Sequence, residues 1–211
     1  MLVVFALLVS KAHGECSLSS PSTVNSYNEG PFYLANTPKR NRLAPENQLV
    51  DPADVFVVEG QIFGSDCNPI ANAQIEVWYA GYPDRYGNYY SIAGSALNYR
   101  GTLQTDACGR YQITQIFPIQ FLGSPHNHFR VTLEGYATPL VVTEMYIAET
   151  MVPSFRPDAS QVVHVENLPD GSRRATFDIK VNIAGTADTM LCGMSLAVFV
   201  WTKFFCSIVD I

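Results

Sequence analysis

Residues 55–63 read VFVVEGQIF, and this stretch is the one that decides the fold class. The segment alternates in polarity and is rich in β-branched and aromatic residues, which is typical of a β-strand. Residues 64–69, GSDCNP, then form a turn cluster, and Ala73–Tyr79 has the pattern of a second strand. The chain therefore opens its patterned region with a strand, a turn and another strand.

The same pattern continues along the chain. Tyr82–Asn98 is a loop rich in tyrosine and glycine, and Asp106–Gly109 is a turn. Further strand patterns occur at Arg100–Gln104, Tyr111–Ile116, Phe129–Leu133, Leu140–Ile147 and Arg174–Ile183. Short strands separated by turns roughly every eight to twelve residues, without an amphipathic helix, predict an all-β fold: an antiparallel β-sandwich with long loops.

Composition places the chain among single globular domains. It has 211 residues, of which 47% are hydrophobic and 15% charged, so it can bury a sizeable core. The net charge is −6, and the one basic cluster is Lys39–Arg42, which gives nucleic-acid binding no support. We divide the chain into residues 1–14, 15–52, 53–185 and 186–211: a signal peptide, an extended N-terminal arm, the sandwich domain and an apolar tail.

The two ends carry predictions about location. Leu2–Val9 is a continuous apolar run and Ala12–Gly14 supplies small residues, which predicts a signal peptide cleaved after Gly14 and a secreted, extracellular protein. The tail Met190–Val209 is strongly apolar but short of an uninterrupted membrane span. A core segment, a membrane or lipid anchor and an extension without a packing role all remain open for it. We expect no membrane association of the mature form unless this tail anchors it.

Secretion would permit disulfide bonds. The chain has five cysteines, so at least one is unpaired or pairs with another chain. Cys67 and Cys108 both fall in turns between strands, and we expect a disulfide between them that stabilises the domain by about 2–4 kcal/mol.

Residues 125–131, PHNHFRV, hold two of the four histidines. Side chains two apart on a strand share a face, so His126 and His128 should project together while Asn127 faces away. Two imidazoles on one face can supply adjacent ligands to one metal ion. Two strand histidines without a ligand role are the alternative.

Several further segments have a joint order and spacing that is specific. They are Glu29–Tyr33, Val58–Ile62, Ile75–Trp78, Gly87–Tyr89, Tyr99–Gly101, Thr105–Asp106, Gly109–Tyr111 and His126–Phe129. Together they resemble the intradiol ring-cleavage dioxygenases, the family of catechol and protocatechuate dioxygenases, and especially its short secreted members. The resemblance runs from Glu29 to about Ile147.

The resemblance implies a β-sandwich that binds a non-haem Fe(III) ion through two tyrosines and two histidines. Ferric iron is a hard ion that prefers anionic oxygen donors, and a phenolate is one. A metal also lowers the pKa of a bound hydroxyl, so a catechol can bind as its dianion. The implied reaction uses O2 to cleave a catechol-type diol between its hydroxyl-bearing carbons, giving a muconate-type diacid.

The ligands carry over by position. The histidines are His126 and His128. The first tyrosine lies in the segment GNYYS, where the family's G-x-Y frame selects Tyr89 and its frequent Y-S pair selects Tyr90; we prefer Tyr89, with Tyr86 a distant third.

Three positions depart from the family pattern. Phe121 stands three residues after Pro118, where the family has its second tyrosine ligand. Gly123 replaces a frequent arginine, and Thr143-Glu144 replaces a T-Q pair whose glutamine faces the substrate. We therefore predict a secreted Fe(III) intradiol dioxygenase, with a catalytically impaired metal- or phenol-binding relative as the alternative.

Four other residues receive structural interpretations from their patterns. Trp78 and Tyr111 alternate on strands and should lie in the core. Arg100 flanks a strand, so a solvated charge is the expectation ahead of a substrate contact. His164 alternates on a strand without a partner motif and should be structural.

Overall fold

The computed structural model describes residues 16–49, 51–81, 97–120 and 123–187. In these ranges the chain forms ten β-strands: β1 Phe56–Phe63, β2 Gln74–Tyr79, β3 Arg100–Gln104, β4 Arg110–Gln115, β5 His126–Thr132, β6 Val141–Ile147, β7 Val162–Val163, β8 Glu166–Asn167, β9 Arg173–Thr176 and β10 Ile179–Lys180. The helical elements of the same ranges are single 3₁₀ turns: Glu46–Gln48, Pro52–Asp54, Ala148–Thr150 and Ala159–Gln161. None of these has the length and hydropathy that crossing a bilayer requires.

The strands form two sheets. One has the order β3-β2-β5-β6-β7, and the other is built around β1, with β4 on one side and β9 and β10 on the other. The predicted all-β sandwich is confirmed. Its longest pairs are antiparallel, as expected, but both sheets are mixed, because β9 and β10 run parallel to β1 and β7 runs parallel to β6.

The core lies between the inner faces of the two sheets. Phe129 of β5 packs against Tyr111 and Phe177, with ring centroids 6.0 Å and 5.0 Å apart. Tyr111 is buried here, as its pattern predicts, and its hydroxyl donates to the Phe177 carbonyl. The two sheets contribute the buried residues Phe56, Val58, Ile62, Ile75, Val77, Phe129 and Val131.

The outer face of the β3-β2-β5-β6-β7 sheet is covered by residues 23–42, which we call the arm segment. On this sheet, hydrogen bonds join it first to β6, where Ser26 N donates to Val142 O at 2.7 Å. It then reaches β2 at Trp78 and β3 at Thr102. The side chains of this sheet that point away from the core are therefore buried beneath the arm segment.

The start of the described chain is held by a disulfide that differs from the predicted one. Cys67 pairs with Cys16, at a Cα–Cα distance of 5.6 Å, so the predicted Cys67–Cys108 bond is wrong. The reason is the path of the N-terminal chain, which returns to the turn after β1. Lys180 Nζ reinforces this by donating to Ser17 O and Ser20 O, at 2.9 Å and 2.7 Å. The predicted signal peptide and the apolar tail from Met190 onward lie outside the described residues.

Candidate metal centre

Strand β5 brings His126 and His128 to one face, as their spacing predicts. Their Nε2 atoms lie 3.1 Å apart and the ring planes meet at 72°. Two nitrogens that bind one metal ion at about 2.1 Å and roughly a right angle are about 3 Å apart. The two imidazoles therefore converge as a pair of adjacent metal ligands would.

The proton on His126 is placed by its backbone neighbour. Nδ1 of His126 lies 2.8 Å from the carbonyl oxygen of Ser124. A carbonyl only accepts hydrogen bonds, so Nδ1 carries the proton and Nε2 presents its lone pair. Metal-binding histidines are typically oriented by such a bond from the second ring nitrogen.

His128 is enclosed by aromatic and backbone groups. Its ring stacks on Trp78, with centroids 5.1 Å apart and planes within 2° of parallel. Gly30 of the arm segment lies so close that a Cβ there would be 3.1 Å from Nε2 of His128. Burial, together with the neighbouring His126, lowers the pKa of His128 to about 3. The imidazole is therefore neutral near pH 7, the form that binds metals.

A carboxylate lies directly across from His128. Glu144 of β6 is its cross-strand partner, and Oε1 is 3.9 Å from Nδ1 of His128. Oε2 accepts from Gln161 Nε2 at 3.2 Å. Burial raises the pKa of Glu144, and burial together with Glu144 raises the pKa of Tyr146, beside His126, to about 12.

A network of charges holds the arm segment over these residues. Arg130 forms an ion pair with Glu76, and its Nε lies 3.3 Å from Glu29 Oε1. The Tyr33 hydroxyl donates to Glu76 at 3.2 Å, and Trp78 Nε1 donates to Glu29 O at 3.0 Å. The arm segment is thus fixed on both sides of Gly30, the residue that contacts His128.

Two residues predicted from local pattern have a different environment. Arg100 was expected to be a solvated charge, which is wrong: it is 2% exposed and donates to Phe32 O at 3.1 Å and 3.0 Å. Trp78 is buried as expected, but under the arm segment and not in the core between the sheets. Both differences arise because a distant part of the chain covers this face.

The remaining site predictions concern the candidate tyrosine ligands and Phe121. Tyr86, Tyr89, Tyr90 and Phe121 lie outside the described residues. Within the ranges that are described, no three His, Cys, Asp or Glu side chains are grouped as metal ligands. The site there consists of the two converging imidazoles.

Sequence reasoning missed the parts of the site that depend on which strands and segments lie next to each other. No single segment of the sequence predicts the hydrogen bond of His126 to the Ser124 carbonyl, the stacking of Trp78 on His128 or the contact of Gly30 with His128. Alternation along β2 does put Trp78 on the outer face, but placing it against His128 requires the β2–β5 register.

Comparisons with known proteins agree with this architecture. A family model described as "Dioxygenase" matches residues 28–134, about half of the chain. Catechol 1,2-dioxygenase 2 of Acinetobacter lwoffii is 33% identical over 106 residues, 50% of this chain and 38% of that protein. Catechol 1,2-dioxygenase of Candida albicans is 30% identical over 140 residues, 57% of this chain and 46% of that protein. The chain thus spans less than half the length of these two relatives.

A solved structure supports the fold. The dioxygenase domain of a dioxygenase carbohydrate-binding protein fusion from Streptomyces sp. SirexAA-E superposes with a TM-score of 0.64 at 24% identity, covering 78% of this chain and all of that domain. At this identity the likeness concerns the fold. The family-model match covers the arm segment from residue 28 through β5, where both histidines lie. The chain therefore belongs to the intradiol ring-cleavage dioxygenase family.

Proposed function

We propose that this protein is a secreted non-haem Fe(III) intradiol dioxygenase that opens catechol-type diols with O2. The observation that carries the proposal is the 3.1 Å separation of the His126 and His128 Nε2 atoms. The matched relatives are catechol 1,2-dioxygenases, which supports a catechol-type substrate. In the proposed reaction both atoms of O2 enter the product, and the bond between the two hydroxyl-bearing carbons breaks to give a muconate-type diacid.

The residues present fit a ferric ion in their donor chemistry. His126 and His128 would hold it through Nε2, and a phenolate from Tyr89 or Tyr90 would supply the anionic oxygen that Fe(III) prefers. The bound ion would supply Lewis acidity, lowering the pKa of the diol hydroxyls so that the substrate binds as an anion.

The protein's own groups prepare this site. The Ser124 carbonyl fixes the tautomer of His126, while burial keeps His128 neutral. Trp78 and Gly30 cover the His128 ring and exclude water from it. Rigid placement of this kind keeps both lone pairs directed at one point.

Secretion is part of the proposal. It is supported by the apolar segment and small residues within residues 1–14 and by the Cys16–Cys67 disulfide, since disulfides persist mainly in oxidising compartments.

The test is metal analysis with a visible spectrum, together with catechol turnover under air. Wild type should contain iron and absorb broadly in the visible through tyrosinate-to-Fe(III) charge transfer. His126→Ala and His128→Ala should lose the iron. His164→Ala is the matched control, because His164 is exposed and pairs with Glu149 at 3.0 Å. Unchanged iron content in either ligand variant would refute the proposed centre.

A catalytically impaired binding protein is the second candidate, and Phe121 favours it. Phenylalanine has no oxygen to donate at the position where the resemblance implies a second tyrosine ligand. Protein that binds iron but leaves catechol unchanged would support this alternative. Phe121→Tyr should then restore colour and turnover, while Phe117→Tyr, whose ring packs on Phe56, should restore neither.

A further inference from the structure

Glu144 occupies a position that the proposed reaction does not use. It is the cross-strand partner of His128, and both residues are buried, with 6% of His128 and 8% of Glu144 exposed. Its Oε1 lies 3.9 Å from Nδ1 of His128. Nδ1 itself has no hydrogen-bond partner among the residues described. A buried imidazole nitrogen without a hydrogen-bond partner therefore faces a buried carboxylate at 3.9 Å, which is beyond hydrogen-bond distance.

The carboxylate is held from its other side. Gln161 Nε2 donates to Glu144 Oε2 at 3.2 Å and to Thr143 Oγ1 at 3.3 Å. Gln161 is itself 5% exposed, so this anchor is shielded from water. Gln161 thus holds Oε2, while Oε1 is the oxygen that lies 3.9 Å from the imidazole.

The tautomer of His128 makes this contact directional. An imidazole whose Nε2 lone pair is given to a metal carries its proton on Nδ1. That N–H is buried, and leaving a buried donor unpaired is unfavourable. A carboxylate behind a metal-binding histidine satisfies the donor, fixes the ring orientation and makes the imidazole a stronger ligand.

We propose that Glu144 is the positioning residue of His128: when Nε2 of His128 binds the metal, the carboxylate closes from 3.9 Å to hydrogen-bond distance of Nδ1–H and adds negative charge behind the metal ligand. The inference rests on the proposed function, because it takes His128 as a ligand of the ferric ion. It gives Glu144 the role of orienting His128 and not that of contacting the substrate.

Two substitutions separate the hydrogen bond from the charge. Glu144→Gln keeps the side-chain shape and an acceptor oxygen but removes the charge. Glu144→Ala removes both. Glu59→Gln is the control, because Glu59 is a strand carboxylate of the other sheet that pairs with Arg174 at 3.5 Å.

The experiment measures the rate of iron loss to a chelator and the Fe(III)/Fe(II) reduction potential of the full chain. Glu144→Ala should weaken iron retention by about tenfold to a hundredfold, the usual range for removing such a partner. Glu144→Gln should lose less iron but have a higher reduction potential, since less negative charge faces the ferric state. Glu59→Gln should match wild type in both measurements.

Wild-type iron loss and potential in both Glu144 variants would overturn the inference. If Glu144→Ala fails to fold, the potential of Glu144→Gln decides alone: an unchanged value refutes the role. Failure of the proposed function is distinguishable, because it would show as retained iron in His128→Ala, whatever the Glu144 variants do.

Discussion

His128 makes the stability of the metal-free protein depend on pH. Its pKa is about 3 in the folded chain, lowered first by burial and then by His126, against about 6.5 when unfolded. Between these values the unfolded state binds more protons, so the free energy of unfolding falls as the pH falls. The contribution of the neutral imidazole to the free energy of unfolding is fully present above about pH 6.5. As the pH falls below that value, the free energy of unfolding decreases with a slope that approaches about 1.4 kcal/mol per pH unit.

Urea unfolding of metal-free protein from pH 7 to pH 4 measures this slope. His128→Gln lacks the titrating group, so its free energy of unfolding should decline less steeply than that of wild type. Other groups titrate in both proteins and cancel in the comparison. Parallel curves would show that the imidazole is not held neutral by the fold.

Gly30 is the residue of the arm segment whose replacement should disturb the proposed metal centre. Its φ is +65°, and an added Cβ would lie 3.1 Å from both Cε1 and Nε2 of His128. Gly30→Ala should cost about 1–2 kcal/mol from the backbone conformation and should also weaken iron retention, because the imidazole must move.

Gly135→Ala is the matched control. Gly135 also has a positive φ, +90°, but nothing lies within 4 Å of its Cβ position. It should lose stability without losing iron, as measured by thermal unfolding and metal content. Equal iron retention in both variants would mean that the contact of Gly30 with His128 is not used.

The limits of sequence-based prediction are clear at single residues. Two-residue spacing alone was enough to place His126 and His128 on one face, because a strand repeats every two residues. Arg100 was mispredicted, since its acceptor Phe32 O lies 68 positions away. The partnership of Glu144 with His128 depends on the β5–β6 register, which the composition of either strand alone does not determine.

Among the elements, β5 links the histidine pair to the core. Its odd-numbered residues face the other sheet, and Asn127, between the two histidines, is fully buried there. Asn127 and Gln115 of β4 exchange side-chain hydrogen bonds of 3.1 Å and 2.8 Å. This amide pair joins the two sheets directly behind the histidines.

Asn127→Leu should cost about 1–3 kcal/mol, because it leaves the buried Gln115 amide unpaired. The double variant Asn127→Leu/Gln115→Met removes both polar groups and should be more stable than the sum of the single losses predicts. Chemical denaturation of the four proteins of this cycle gives the coupling energy. Additive losses would indicate that the two amides stabilise the sandwich independently.

The strands themselves were largely predictable, while their partners were not. Alternation and turn residues located β1, β2, β4 and β6 to within a residue or two. The parallel pairing of β1 with β9 joins residues more than a hundred positions apart, and no local pattern signals it. The predicted strand at Arg174–Ile183 is divided into β9 and β10, although both keep the same register with β1. Between them, Gln61 N of β1 donates to the side chain of Asp178 at 2.8 Å and not to a backbone carbonyl.

In the molecule as a whole, the N-terminal chain connects the two sheets and covers the histidine pair. It is bonded to β10 of one sheet through Thr23 N and Lys180 O at 2.8 Å, and to β6 of the other through Ser26. The Cys16–Cys67 disulfide joins the start of this N-terminal chain to the turn after β1, across a sequence separation of 51 residues. Arg130, through Glu29, holds it at the histidines.

Stability and iron binding should therefore respond differently when the disulfide is removed. Closing a loop of this length stabilises a folded chain by about 4 kcal/mol in the chain-entropy account, mainly by restricting the unfolded state. Cys16→Ser/Cys67→Ser should thus lower the free energy of unfolding by about 2–4 kcal/mol. Iron content under native conditions should stay at the wild-type level, because the contacts of Glu29 and Gly30 around His128 remain. Urea unfolding and metal analysis of the same preparation test both parts. Loss of iron in the folded variant would mean that the disulfide, and not the contacts around Gly30, keeps the arm segment on the histidines.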